Sequence, residues 1–126
     1  MRGQFIEPIV ENEHLASGTL ARGIDSSNKK NPRPLDDVFE LPSGSVSLFL
    51  RWSPLANFRS EVHVRLYNVE NTLLFETKPA KLKLKAYDMA FGMLELDTSR
   101  LAAGLYRVDA VLTEGPCWRS FFKIVE

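Results

Sequence analysis

The sequence predicts an all-β protein, and three observations carry that expectation. Apolar residues recur at every second position in run after run, as in "EVHVRLYNV" over residues 61–69 and "KLKLKA" over 81–86. Turn-forming residues separate the runs, among them Pro42 with Gly44, Pro54, Asn68 to Asn71, and Gly115 with Pro116. Helical spacing of apolar residues, three and four positions apart, fits poorly throughout. With 126 residues, 44% of them apolar and 25% charged, the chain has material for a single domain over residues 1–126 with one core.

The elements follow from the amino terminus. "QFIEPIV" reads as a short strand, and residues 1–19 as an N-terminal extension or an extra edge strand. "GTLARGID" is a better strand, with Leu20, Arg22 and Ile24 alternating against Ala21 and Gly23. Residues 25–37 are expected to be a long polar loop, because Ser, Asn, Lys, Asp and Pro dominate them. "SVSLFLRW" turns Val46, Leu48, Leu50 and Trp52 to one face, and leaves Ser45, Ser47, Phe49 and Arg51 on the other. "SPLANFRS" then breaks the strand at Pro54 and places Phe58 in a loop.

Further along, Val62, Val64 and Leu66 face inward, while Glu61, His63, Arg65 and Tyr67 face outward. "ENTLLFET" follows a short polar turn, so the two runs are expected to pair as a hairpin. In "KLKLKA" the residues Leu82, Leu84 and Ala86 oppose Lys81, Lys83 and Lys85. "AFGMLELDT" points Leu94 and Leu96 inward, and Gly92 within it suggests a bulge or a close backbone approach. The closing hairpin sets Tyr106, Val108, Ala110 and Leu112 against Trp118, Phe122 and Ile124, leaving Cys117, Arg119 and Phe121 opposite them. Together these make roughly seven or eight mainly antiparallel strands, the pattern of an immunoglobulin-like β-sandwich.

Composition narrows the functional classes. Sixteen Lys and Arg balance sixteen Asp and Glu, so no overall field attracts nucleic acid or an anionic membrane. A net charge of zero favours self-association, and a homodimer through edge strands or an aromatic face is one expectation. Cys117 is the only cysteine, which rules out an internal disulfide. "MRGQFIEPIVENEHL" contains no apolar run suited to a signal peptide, and no stretch approaches the ~18 apolar residues of a membrane helix. A soluble cytoplasmic protein is the expectation.

No catalytic or metal site is expected. His14 and His63 sit in no motif, and Cys117 has only Arg119 beside it to lower its pKa. One cysteine and two scattered histidines give no zinc spacing, and Asp36–Asp37 and Glu95/Asp97 lack a calcium loop. No glycine-rich phosphate loop is present and no cofactor is implied. Lys81, Lys83 and Lys85 project from one strand face at roughly 6.5–7 Å spacing, twice the strand rise. With Lys78 and Lys29–Lys30 they form a candidate basic patch, read either as protection of an edge strand or as a phosphate contact. No aromatic residues interleave with them, which argues against a single-strand stacking platform. The candidate interaction surface is Phe49, Phe58, Tyr67, Arg119 and Phe121, aromatic residues left outside the presumed core together with one arginine.

Three fragments, "ARGID…NPRPLDDVFELPSGSVSLFLRW", "EVHVRLYNVENTLLFET" and "LAAGLYRVDAVLTEGPCWRSFFKI", carry a resemblance over roughly residues 20 to 126. They resemble small bacterial immunoglobulin-like accessory domains of unassigned function, in which a G-x-Y-x-V strand turns into a final F-x-V strand. Gly104, Tyr106 and Val108 match, as do Phe122 and Ile124, with Ile in place of the commoner Val. The G-x-Y element is also similar to that in the terminal domain of some polysaccharide-exporting ABC transporter ATPases, which implies binding of a glycan terminus. The expected function is therefore a non-catalytic binding or protein-interaction module, with a glycan-binding accessory domain as the alternative.

Overall fold

Alternating apolar residues give each strand one oily face, and two sheets bury those faces against each other. The computed structural model describes residues 5–7, 9, 12–25, 27, 32–37, 40–42 and 44–125. Its strands are β1 (Leu15–Asp25), β2 (Arg33–Asp37), β3 (Glu40–Pro42), β4 (Ser45–Trp52) and β5 (Phe58–Asn68). After them come β6 (Leu73–Glu76), β7 (Ala80–Leu84), β8 (Ala90–Asp97), β9 (Gly104–Leu112) and β10 (Gly115–Val125). A four-stranded sheet has the order β2-β1-β4-β8. The six-stranded sheet runs β3-β10-β9-β5-β6, with β7 also paired to β5. All of the pairings are antiparallel except that of β3 with β10. This is an immunoglobulin-like β-sandwich, as the alternation predicts.

The inward residues of the sequence form the core. Val46, Leu48, Leu50 and Trp52 of β4 meet Val64 and Leu66 of β5, Tyr106, Val108, Ala110 and Leu112 of β9, and Phe122 and Ile124 of β10. Burying side chains of this size contributes about 1.5–3 kcal/mol each. The Tyr106 hydroxyl donates to the Ala102 carbonyl at 2.6 Å, tying the start of β9 to the loop before it. Tyrosine corners of this kind mark the edge of many such sandwiches. The hairpin of β5 and β6 closes over Asn68, whose Oδ1 accepts from the amides of Glu70 and Thr72 at 3.0 and 2.9 Å. Asn71 completes that turn at φ 66°, a left-handed conformation that asparagine tolerates.

Several details differ from the sequence reading. Residues 33–37 of the expected loop form β2, which adds to the side of β1, and residues 26 and 28–31 lie outside the described residues. The polarity of the stretch conceals this strand. Leu15 to Thr19 are not a separate extension: they open β1 and pair with β4. Phe5 and Ile6 fall outside the strands. Phe58 begins β5 instead of lying in a loop. Gly92 marks no bulge, since β4 and β8 pair without a register shift from Ser45↔Asp97 to Trp52↔Ala90.

Two glycines have opposite surroundings. At Gly18 a Cβ would lie 2.3 Å from Trp118 Nε1 and 2.4 Å from Trp118 Cε2, because the indole of β10 rests on the backbone of β1. At Gly92 the nearest atoms would be Trp52 Nε1 at 3.7 Å and Leu50 Cβ at 3.8 Å, which is ordinary contact. Gly18→Ala is therefore expected to destabilise the fold by about 1–3 kcal/mol through overpacking. Gly92→Ala is expected to be neutral or to stabilise by up to about 1 kcal/mol through reduced chain entropy in the unfolded state. Urea denaturation of both variants measures the contrast.

Candidate functional site

Two regions outside the core bring chemically capable side chains together. The first is the outer face of the six-stranded sheet. Register aligns Tyr67, Arg107 and Phe121 in one row across β5, β9 and β10, and Arg65, Asp109 and Arg119 in the next. Asp109 is buried at 1% exposure and lies between two guanidinium groups. Arg119 donates to it in bidentate fashion, Nε to Oδ1 at 2.8 Å and Nη2 to Oδ2 at 3.0 Å. The carboxylate so near raises the Arg119 pKa further, although burial opposes this. Arg107 Nε stands 3.3 Å from the same Oδ1, and its Nη1 donates to Asn71 Oδ1 at 2.7 Å.

Aromatic rings enclose this charge cluster. Arg107 Cζ lies 3.9 Å from the centroid of the Tyr67 ring and 5.9 Å from that of Phe5. Such cation–π contacts are favourable by about 0.5–2 kcal/mol, more when desolvated. Phe5 in turn packs against Phe121 with centroids 5.4 Å apart, and Arg119 Nη1 donates to the Glu7 carbonyl. Beside the cluster, Glu76 Oε2 accepts from Arg65 Nε at 3.1 Å and lies 3.4 Å from His63 Nε2.

This arrangement sorts the residues singled out from sequence. Tyr67, Arg119 and Phe121 share one face, but Phe5 and Glu7 lie over it, so each has a packing partner. Phe49 does not belong to an interaction surface: it is 4% exposed. The reason is that β4 runs between β1 and β8, so Thr19 and Met93 flank Phe49 and the Phe91 ring sits 5.6 Å away. Phe58 is half-buried and stacks on His14 with centroids 4.5 Å apart. Cys117 sits at the register shift between β9 and β10 and faces the core, not the Arg119 side. Burial pushes its thiol up to about 11, so it stays protonated and weakly nucleophilic near neutrality. Alternation missed Arg107 and Asp109 because charges within an apolar strand read as solvated.

The second region is a cleft of about 400 Å³ between the sheets, where β7 and β8 face each other. Its floor includes Leu50, Trp52, Val64, Leu84 and Leu94, and Gly92 also lines it. Lys78, Lys81 and Lys83 line its mouth and are exposed. Lys85 follows just beyond β7 and is also exposed, so Lys81, Lys83 and Lys85 stand together as the sequence suggests. Lys29 and Lys30 lie outside the described residues. Across the strand pair Lys81 faces Glu61, but Lys83 faces Arg59.

Comparison with known proteins supports the fold. No family description matches the sequence, and no curated protein matches it. Among solved structures, the C-terminal domain of wzt overlaps 99% of this chain and 86% of its own, with TM-score 0.65 and 10% identity. An immunoglobulin-like protein from Pseudomonas aeruginosa overlaps 93% of this chain and 100% of its own, with TM-score 0.54 and 9% identity. The alkylpurine DNA glycosylase AlkC of Pseudomonas fluorescens, bound to DNA containing an abasic site analog, overlaps 70% of this chain at TM-score 0.54 and 13% identity. The overlap spans only 28% of that glycosylase. At such identities the likeness is one of fold. Among the described residues no helix is long and apolar enough to cross a membrane.

The charge cluster yields a direct prediction. Asp109→Ala leaves two guanidinium groups, 5% and 12% exposed, without their shared carboxylate. The expected cost is about 3–5 kcal/mol of folding stability. Thermal and urea unfolding of the variant, alongside Glu76→Ala as an exposed-pair control expected to lose under about 1 kcal/mol, measures it.

Proposed function

We propose that this chain is a non-catalytic binding module and that the cleft between β7 and β8 is where it binds. The observation that carries this reading is a mostly apolar concavity between the two sheets, floored by core residues. Small-molecule sites are concave and mostly apolar, with a few charged groups at fixed positions, and ~300–1,000 Å³ is their usual size. The nucleophile and base candidates argue in the same direction. His14 is buried against Phe58, His63 leans on Glu76, and Cys117 is in the core. Among the described residues no group of three or more His, Cys, Asp or Glu side chains is placed to hold a metal ion.

Glycan binding is the second reading. The sequence resemblance to terminal domains of polysaccharide exporters favours it. The outer face carries the aromatic ring of Tyr67 next to Arg119, although Arg107 packs on that ring and Asp109 is engaged by both arginines. Phe5 and Glu7 cover that face, so a glycan bound there must displace them.

Screening hydrolase and transferase substrates is expected to show no turnover above background. Turnover that disappears in His63→Ala or Cys117→Ala contradicts the binding-module reading. On a glycan array, Phe5→Ala is expected to raise any glycan signal relative to wild type; equal and absent signals in both remove the second reading.

A further inference from the structure

Two loops at one end of the sandwich carry apolar side chains that the core does not use. Leu55 follows β4, and Tyr87 and Met89 lie between β7 and β8; they are 63%, 82% and 49% exposed. Backbone contacts join the loops. The Tyr87 amide donates to the Pro54 carbonyl at 2.9 Å, and the Ala86 amide donates to Asn57 Oδ1 at 2.9 Å. Tyr87 sits in a turn closed by the Asp88 amide, which donates to the Lys85 carbonyl at 3.0 Å, and its φ is 64°. A turn with positive φ at its third residue readily takes glycine or asparagine, whereas a bulky aromatic there is strained. Such strain collects where a side chain has a use, and the Tyr87 ring, standing in solvent, contributes little packing to the fold.

Basic groups flank this tip. A concavity is lined by Asn57, Phe58, Arg59, Lys83, Leu84 and Lys85, with no Asp or Glu among its described lining residues. Arg59 and Lys83 are direct partners where β5 pairs with β7, on the outer face of the six-stranded sheet, and Lys85 is two residues from Tyr87. Like charges directly opposite each other on a sheet are destabilising, and an anionic surface laid against them offsets the repulsion. The acids at this end are Asp88, exposed between Tyr87 and Met89, and Glu13, which stands 3.5 Å from His14 Nε2. The whole chain has zero net charge, so the attraction is local.

We propose that this end of the sandwich docks on an anionic lipid bilayer. Leu55, Tyr87 and Met89 enter the interface, and Arg59, Lys83 and Lys85 meet the head groups. Apolar side chains that project from loop tips, instead of lining a groove, suit a fluid interface. Tyrosine favours that depth, and long basic side chains reach back to the head groups. Each Lys or Arg near such a surface strengthens binding about fivefold. This docking does not require the cleft between the sheets to be a binding site.

Co-sedimentation of the full chain with vesicles tests it, using phosphatidylcholine alone and phosphatidylcholine with about one third phosphatidylserine. At about 1 mM lipid the chain is expected to pellet with the anionic vesicles and to stay in solution with the neutral ones. Tyr87→Gly is expected to weaken binding about tenfold through the lost apolar contact. Its thermal unfolding midpoint is expected to hold or rise, because glycine suits the turn. Replacing Lys83 and Lys85 together by Gln is expected to weaken binding about 25-fold. Leu74→Ser, at an exposed apolar position in β6, is expected to leave binding unchanged. Absence of pelleting with the anionic vesicles overturns the docking. Pelleting that Tyr87→Gly leaves unchanged also overturns it, since the contact is then one of charge alone. A chain that ignores both vesicles but forms a dimer in light scattering, lost in Tyr87→Gly, makes the tip a protein contact and overturns it too.

Discussion

Everything in this molecule depends on covering the apolar inner faces of two sheets of unequal width. The four-stranded sheet ends at β8 on one flank, and on the same flank the six-stranded sheet ends in the short strand β7. Over β9 and β10 the faces meet fully, and Val108, Ala110 and Phe122 are sealed at 0% exposure. At β7 and β8 the cover fails. Leu82, Gly92 and Leu94 stay partly exposed. A sandwich that closes tightly on one side and opens on the other has a rigid scaffold and a concavity at once.

The outer face of the six-stranded sheet follows a different rule. There β9 is buried on both faces, with Arg107, Asp109 and Val111 covered on the side away from the core. Buried charge is tolerated only with close partners, and here one carboxylate serves two guanidinium groups, with Tyr67 and Asn71 completing the shell around Arg107. Phe5 and Glu7 are drawn onto that face by ring packing and a backbone hydrogen bond. The aromatic residues that suggest an interaction surface are thus occupied within the chain. That shifts attention to the opposite flank, where apolar and basic residues remain open to solvent.

How much of this was legible in the sequence depended on how local each feature is. Alternation in β4, β5 and β9 locates the inward core residues, because a period of two is set within a single strand; in β10 the register shift between Pro116 and Trp118 breaks that period and brings Cys117 into the core. The lysines of β7 were equally plain. Phe49 was misplaced because burial of an outward position depends on neighbouring strands, and strand order is not a local property. β2 was missed because polar residues and prolines dominate its sequence, and its existence depends on pairing with β1. The cleft was not visible for the same non-local reason: it requires β7 and β8, on different sheets, to end on one flank. Gly92 was its one trace, and the usual meanings of a strand glycine, a bulge or a close backbone approach, pointed elsewhere.

The central claim is that apolar space on the β7–β8 flank is real and reachable. Methyl NMR under increasing xenon pressure tests it most directly, since xenon enters apolar cavities without needing a charge or a hydrogen bond. Saturable shifts are expected for the methyls of Leu50, Val64, Leu82, Leu84 and Leu94, with small changes for Val108 and Ile124 in the sealed part of the core. Uniformly small shifts across all of them would contradict the account.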